Sequence, residues 1–222
     1  MSRWRSIVAT LLLVCAGCAD GGQRGTGISS FEGNVVAVDH GSAQAAAQGT
    51  GQGAASTAPD AVSGIIVTIE GTDLQTETDA QGSFSLHGAF GGDTALRFAR
   101  TGDGLDIRYS VNAPAGGTTT LRDVTLQASS GRAVPTAVYV AFEGRVVGLD
   151  CTMNRLVCAS VAEPADAVDE DDTYVVDLTD STVHDSAGHA LGCDAFAAGD
   201  TMHIDGAYTR DGTIGQADIT RH

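Results

Sequence analysis

The spacing of apolar residues between positions 64 and 127 is the feature that most constrains the fold. In "GIIVTIEG", Ile65, Val67 and Ile69 fall on one side of an extended chain, and in "GSFSLHG" Phe84 and Leu86 do the same. A repeat of two is that of a β-strand with one buried face. The pattern therefore predicts short strands that cover a common core.

Further strands with the same alternation are separated by turn-forming segments. They are predicted at residues 33–38, 95–100, 106–111 and 119–126. The separating segments 79–82, 91–93 and 114–117 are rich in Gly, Asp and Pro, which are residues that favour turns. Regularly spaced short strands of this kind are typical of a β-sandwich.

The stretch from "SGIIVTIEG" through "TDAQGSF" to "DVTL" resembles the carboxypeptidase regulatory-like domain. That resemblance covers residues 31–127 and implies a seven-stranded, transthyretin-like sandwich of the non-catalytic, accessory kind. In its hairpin, Asp79 can accept a backbone hydrogen bond from two residues on, and Gly82 can adopt a positive φ. Residues 40–59 contain no aliphatic side chain larger than Ala, so we expect a disordered insertion there.

A second set of strands follows a predicted linker at residues 128–135. Five strands are expected within residues 136–222, the first of them long and bent at Gly144 and Gly148, and they fit a small OB-like β-barrel. "FEGRVVGLD", the Gly199-Asp200 pair before "TMHIDG", and "DGTIGQADI" resemble an OB-like bacterial extracytoplasmic domain of unknown function. The predicted fold class is all-β.

Two isoleucines near the end of the chain break the simple alternation. Ile214 and Ile219 are an odd number of positions apart, so both cannot face the core from one regular strand. Either a bulge separates them or Ile219 is exposed.

The amino terminus has the order of an export signal. Arg3 and Arg5 precede an apolar run at residues 7–14, which is too short to span a membrane. "CAGC" then resembles the lipobox of bacterial lipoproteins, which implies a signal peptide at residues 1–17 and a lipid on Cys18. Residues 18–30 would form a flexible tether, and Ala19 implies the outer membrane. The alternative is a plain cleaved signal with an unused cysteine, Cys18.

The charge of the chain excludes several classes of partner. All 12 basic residues are arginines, against 28 acids, and removal of Arg3 and Arg5 changes the net charge from −16 to 10 − 28 = −18. Such a polyanion without a basic cluster is not expected to bind nucleic acid or to dock electrostatically on anionic lipid.

Three cysteines remain in the second unit, namely Cys151, Cys158 and Cys193. An exported protein meets an oxidising environment, so we expect one disulfide. Three pairings are possible, and the sequence cannot choose among them. The short "TMNRLV" spacer favours Cys151–Cys158 across a hairpin.

Two metal sites can be considered. His184, His189 and Cys193 could contribute to a zinc site, but no CxxC or HExxH spacing supports one, and a hairpin with surface histidines is favoured. The acidic run beginning at residue 164 could supply calcium with oxygens. Its candidates are Asp166, Asp169, Glu170, Asp171 and Asp172. The run lacks the D-x-D-x-D-G pattern, so a solvated loop is favoured.

No motif for catalysis emerges. His184, Asp185 and Ser186 have the chemistry of a triad but are contiguous, and neighbours on an extended chain point in opposite directions. We therefore expect a non-enzymatic envelope lipoprotein without cofactors, which acts as a scaffold, adhesion or interaction module for an unknown envelope protein or glycan.

Two alternatives stay open. One is a carbohydrate-binding module that uses the aromatics of the OB-like face, for which the second unit offers five. These are Tyr139, Phe142, Tyr174, Phe196 and Tyr208. The other is a hydrolase whose site is assembled from distant residues, for example His184 and Asp200.

Overall fold

The structure is a computed structural model that describes residues 27–41, 61–162 and 167–222. It is all-β, as the alternating pattern predicted, with fourteen strands and one short 3-10 turn, Cys193–Ala195. Within the described residues, no helix is long and apolar enough to cross a lipid bilayer. The strands are β1 (Ser29–Asp39), β2 (Ile66–Ile69), β3 (Gln75–Glu77), β4 (Ser83–Gly88), β5 (Gly92–Arg100), β6 (Leu105–Ala113), β7 (Thr118–Gln127), β8 (Arg132–Val134), β9 (Ala137–Asp150), β10 (Arg155–Ala162), β11 (Ala167–Asp177), β12 (Thr182–Asp185), β13 (Thr201–Tyr208) and β14 (Ile214–Arg221).

The first unit places two groups of strands on either side of one core. β1 lies between β4 and β7, while β2 lies between β3 and β5, and β5 pairs with β6. Phe84 of β4 meets Phe98 of β5 edge to face, with ring centroids 5.7 Å apart. The residues that the period-two pattern placed on one face, Ile65, Val67, Ile69, Phe84 and Leu86, are all buried, as are Leu96 and Phe98 of β5.

The predicted linker contains a strand. β8 pairs with the end of β7 and touches β6 at Arg108. Composition suggested a loop because "ASSGRAVP" has few apolar residues. Its backbone nevertheless completes hydrogen bonds between two neighbouring strands, so among the described residues β8 is added to the seven strands β1–β7 that precede the predicted linker.

The second unit forms a closed ring of strands. Pairing runs from β9 to β10, β11, β14 and β13 and returns to β9. A separate buried cluster fills the ring, with Phe142, Leu156, Val176, Met202 and Ile204 among its members. A short additional strand, β12, which was not predicted, lies parallel to β14.

Of the two alternatives left open for Ile214 and Ile219, the structure shows the bulge. Both side chains are fully buried, and the β13–β14 register shifts between Asp205 and Ala207. Gln216 has a positive φ of 51°. The extra residue lets both isoleucines point into the core despite their odd spacing.

The acidic residues 169–172 lie in an irregular part of β11. The β10–β11 register passes from Ala159–Thr173 to Val161–Val168, so these four residues have no partner on β10. The pairs on either side of them keep the segment within the strand, although the sequence suggested a loop. Tyr174, Val176 and Leu178, which follow the acidic residues, are buried in the core of the second unit.

The two units share a sheet. β7 and β9 pair antiparallel from Thr118–Ala141 to Arg122–Ala137. Asn112 of β6 adds a second join, because the Tyr174 hydroxyl donates to its Oδ1 at 3.1 Å and the Tyr208 hydroxyl donates to its carbonyl oxygen at 2.8 Å. The units are therefore connected by backbone and side-chain hydrogen bonds.

The hairpin before β4 behaves as its residues predicted. The Asp79 carboxylate accepts hydrogen bonds from the backbone of Gln81 and Ser83 at 2.8 and 2.9 Å. Gly82 has a φ of 83°, and a Cβ there would overlap the carbonyl oxygen of Val35 on β1. The glycine is needed both for its backbone conformation and for the close approach of β1.

Aspartates stabilise many turns in the same way. Seven accept a hydrogen bond from the backbone N–H two residues on, namely Asp39, Asp79, Asp103, Asp150, Asp177, Asp185 and Asp211. Hydrogen bonds to the charged form lower a carboxyl pKa. The hydroxyls of Thr209 and Thr213 and the Thr213 backbone lower the pKa of Asp211 to about 2.

The Gly82 geometry gives a matched pair of substitutions. Gly212 has the same φ of 83°, but no atom lies within 4 Å of the point that a Cβ would occupy there. Gly212→Ala should cost about 1–2 kcal/mol of unfolding free energy for the left-handed backbone alone. Gly82→Ala should cost about 1–3 kcal/mol more, because β1 must move. Urea titration followed by circular dichroism measures both, and equal costs would contradict the packing role.

The Asp211 turn predicts a loss of stability in acid. Its pKa is lowered in the folded state, so its stabilisation is complete above the unfolded pKa near 3.8 and is lost as the pH falls towards about 2. Asp211→Asn should lower the thermal midpoint at pH 6 and show a smaller drop between pH 4 and pH 2 than the parent. Asp93→Asn, at an exposed position of β5, is the control. If the thermal midpoints of the parent and of Asp211→Asn fell equally between pH 4 and pH 2, the prediction would be refuted.

Candidate binding face on the shared sheet

Several residues singled out from the sequence cannot be placed. Cys18 and Asp166 lie outside the described residues. Asp169, Glu170, Asp171 and Asp172 lie on the backbone of β11. Among the residues that the structure describes, no group of three or more His, Cys, Asp or Glu side chains could hold a metal ion.

The disulfide joins Cys151 to Cys193, with Cα atoms 5.5 Å apart, so the favoured Cys151–Cys158 pairing is wrong. Cys151 lies in the β9–β10 turn, whereas Cys158 lies further along β10 and pairs with Val146 across the hairpin. Cys158 points into the barrel core, where it is fully buried. The link therefore ties the hairpin turn to the 3-10 turn that precedes β13.

Cys158 is a free and unreactive thiol. Desolvation by burial raises its pKa to about 12. Its Sγ contacts the carbonyl oxygen of Tyr174 at 3.7 Å. A thiol in this state is neither a nucleophile nor a metal ligand at neutral pH.

The histidines are all paired with neighbouring side chains. His184 contacts Asp218 and Thr220, at 3.3 and 2.9 Å, and His189 contacts Asp185 at 3.0 Å. The zinc set considered from the sequence is not assembled, because its Cys193 is oxidised and its histidines have other partners. His203 and His222 bind the two carboxylate oxygens of Glu143.

Most aromatics of the second unit lie inside it. Phe142, Tyr174 and Phe196 are buried, and Tyr208 is half-buried. Tyr139 alone among the five is exposed, at 37%. Four of these five aromatics are therefore not exposed on the outer surface of the second unit.

Tyr139 instead faces outward beside the strands of the first unit. We call the outward-pointing residues of β4, β1, β7 and the first part of β9 the polar platform. Its members are Ser83, Ser85, His87, Ser30, Glu32, Asn34, Thr118, Thr120, Arg122, Asp123, Tyr139 and Ala141. The opposite face of the same strands carries buried residues such as Phe31, Leu86, Thr119 and Val140.

Part of the platform is held by its own hydrogen bonds. His87 contacts Ser30 Oγ through Nδ1 at 2.8 Å and Ser85 Oγ through Nε2 at 2.9 Å. A serine, a histidine and a second serine are thus aligned, but the histidine has no carboxylate partner in the described residues that would orient it as a general base. The arrangement fixes the orientation of these three side chains.

A bulge shapes one end of the platform. On β7, Arg122 and Asp123 together face the single residue Asn34 of β1, and Asp123 has a φ of 46°. Both residues therefore point outward. They line a groove of about 350 Å³ together with Glu32, Ser83 and Ser85. The Oδ1 atom of Asn34 is buried in the wall of this groove and has no hydrogen-bond partner in the described part of the chain.

A second depression of about 250 Å³ lies in the other unit. It is lined by residues such as Asp177, Asp180, Tyr208 and Gln216, around the β14 bulge. It lacks an exposed aromatic and has a single ring, that of half-buried Tyr208, at its wall. It offers less for recognition than the platform does.

Sequence reasoning missed the platform, although a signal was present. Leu121 and Val124 are both apolar and an odd number of positions apart, as Ile214 and Ile219 are, so a bulge could have been predicted at Arg122–Asp123. The neighbours of Tyr139 could not be predicted, because they depend on the pairing of β7 with β9.

No protein-family model, curated protein or solved structure matches this chain. Its function is therefore inferred from its own residues.

Removal of the Cys151–Cys193 disulfide should lower the unfolding free energy of the protein. The disulfide closes a separation of 42 residues, for which chain entropy gives about 4 kcal/mol. Cys151→Ala, Cys193→Ala and the double variant should each lose about this amount, because any one of them removes the whole link. Urea titration measures the loss, and the reduced parent should match the variants. A double variant as stable as the oxidised parent would contradict the link.

Mapping the pairing requires a suitable protease. Trypsin leaves Cys158 and Cys193 on one peptide, because no Arg or Lys lies between Arg155 and Arg210. Added cleavage after Glu170 separates them, whereas the Glu163–Pro164 bond resists cleavage. We expect a Cys151–Cys193 cross-link, and iodoacetamide should label Cys158 only after unfolding. A Cys151–Cys158 peptide would overturn the assignment.

Proposed function

We propose that this protein is a non-enzymatic lipoprotein of the bacterial cell envelope that acts as an interaction module. The observation that carries the proposal is the continuous sheet β4–β1–β7–β9–β13, which runs through both units. Because backbone hydrogen bonds join its strands, the two units present one surface of fixed geometry. A surface of this kind suits binding to a partner.

Export is supported by two independent features. The lipobox resemblance at residues 15–18 implies processing and acylation at Cys18, by analogy with the family. The Cys151–Cys193 link favours an oxidising compartment, in which structural disulfides persist. Attachment through acyl chains would stabilise membrane binding by about 0.8 kcal/mol for each buried methylene. The outer membrane is the proposed location.

The two units are proposed to be accessory-type folds. The ring order β9–β10–β11–β14–β13 supports an OB-like barrel, which is a five-stranded Greek-key barrel. The hairpin at Asp79–Gly82 and the facing sheets support a transthyretin-like sandwich for residues 31–127. In both units the inner faces are occupied by the core, so binding is assigned to outer faces.

The role as a passive module is supported by how reactive side chains are used. Cys151 and Cys193 are bonded to each other, and Cys158 is buried with a raised pKa. His184 and Asp200, the residues considered for a hydrolase, are in different surroundings: His184 contacts Asp218, and Asp200 binds the Ala197 backbone. The disulfide and these side-chain contacts stabilise the local structure.

The anchor can be tested directly on the native protein. We expect intact mass spectrometry to show acyl groups on a chain that begins at Cys18, and Cys18→Ser to abolish both the modification and the membrane association. Cys15→Ser is the matched control, because it lies before the expected cut and should be processed normally. A free amino terminus at Ala19, or an unmodified Cys18, would refute the lipoprotein proposal.

A further inference from the structure

One row of the polar platform crosses the join between the two units. Ser85, Glu32, Thr120 and Tyr139 are successive cross-strand partners on β4, β1, β7 and β9. Neighbouring strands lie about 4.8 Å apart, so the row spans about 14 Å. A linear array of this length fits an extended ligand with repeated units better than it fits a single ion.

The row has hydrogen-bonding groups that the protein does not use. Within the described residues, no side-chain hydrogen bond or ion pair involves Glu32, Thr120 or the Tyr139 hydroxyl, and Arg122 has its ion pair with Asp123 at 3.8 Å. Carboxylate and hydroxyl oxygens accept hydrogen bonds, while hydroxyls and guanidinium donate them. A ligand with many hydroxyl groups, each both donor and acceptor, matches this mixed set.

Tyr139 provides an apolar surface at one end of the row. Its side chain is 37% exposed. Ala137 and Ala141 flank it, one on each side along the same face of β9. These small neighbours leave room beside the ring. An aromatic ring with a polar tip can stack against the C–H face of a sugar while its hydroxyl reaches a polar group.

The charge of the platform selects the kind of glycan. Glu32, Asp123 and Arg122 give the platform a formal charge of 1 − 2 = −1, on a chain of net charge −16. An acidic polysaccharide would be repelled by the molecule as a whole. The platform itself offers a cation only two carboxylates, Glu32 and Asp123, and Asp123 already pairs with Arg122.

We infer that the polar platform binds a neutral oligosaccharide, with Tyr139 as the stacking residue and Glu32 as the main hydrogen-bond acceptor. The inference rests on the proposed function, since it names the ligand class of that interaction module. It also moves carbohydrate recognition from the barrel aromatics to the outer face of the shared sheet. The groove, whose lining includes Glu32, Ser85 and Thr120 of the row, forms the rest of the site.

The test is isothermal titration calorimetry on the full chain, solubilised in a detergent without a sugar headgroup. The probes are chitohexaose, cellohexaose and maltohexaose, with polygalacturonate as the acidic comparison. We expect at least one neutral probe to bind, and polygalacturonate to bind more weakly or not at all. Injection heats that show no saturable binding for any of the three neutral probes would overturn the inference.

Variants locate the site. Tyr139→Ala and Glu32→Ala should each weaken binding about tenfold or more, as expected for residues central to an interface. Tyr139→Phe keeps the ring and should retain most of the affinity. Leu149→Ala is the matched control, because Leu149 lies on the same strand at 38% exposure but outside the platform. Unfolding curves for every variant separate lost binding from lost folding.

Failure of this inference differs from failure of the proposed function. Equal binding by the parent and Tyr139→Ala would place any glycan site elsewhere and overturn the assignment. A cross-linked envelope protein without glycan binding would also overturn it while leaving the interaction module in place. An unmodified Cys18 would refute the lipoprotein proposal whatever the titrations show.

Discussion

The rest of the structure depends on the backbone pairing of one strand, β9. Its first residues, 137–141, pair with β7 of the first unit, and its later residues, 144–150, pair with β10, while β13 covers the other edge. The strand therefore changes partner near Gly144, which was predicted as a bend. Its buried side chains belong to both units, with Val138 in one core and Val140 in the other. One continuous ladder thus connects two cores, and the outer surface has no break where they meet.

The acidity of the chain has a structural explanation in its turns. Aspartate makes up 22 of the 28 acidic residues, and seven aspartates bind the backbone N–H two residues on, as at Asp150 and Asp185. The aspartate side chain is short enough to make this bond, which glutamate makes poorly. The described residues form fourteen strands that need many turns, so a quarter of the acidic residues, seven of 28, have a structural role in those turns.

The sequence predicted what depends on neighbouring residues and missed what depends on distant ones. Alternation placed Ile65 and Phe84 on strands, and odd spacing gave a bulge in β14 as one of two alternatives, because both follow from the two-residue repeat. The Cys151–Cys193 pairing was missed because it depends on how the β9–β10 turn meets a loop 42 residues away. The strand that contains the acidic residues 169–172 was missed because it depends on the pairs that flank them, Ala159–Thr173 and Val161–Val168, while the acidic residues themselves have no partner on β10.

The inner face of the shared sheet explains why its outer face is suited to recognition. Phe31, Leu86, Thr119 and Val140 lie under the platform and are at most 3% exposed, so packing fixes the backbone on which Glu32 and Tyr139 stand. Ligand binding to such a surface does not require ordering of the main chain, and this reduces the entropy that binding must overcome. The hydrogen bonds of His87 to Ser30 and Ser85 order the neighbouring row in the same way. A rigid row of polar groups that ends in an aromatic ring favours extended ligands with regularly repeated hydroxyl groups.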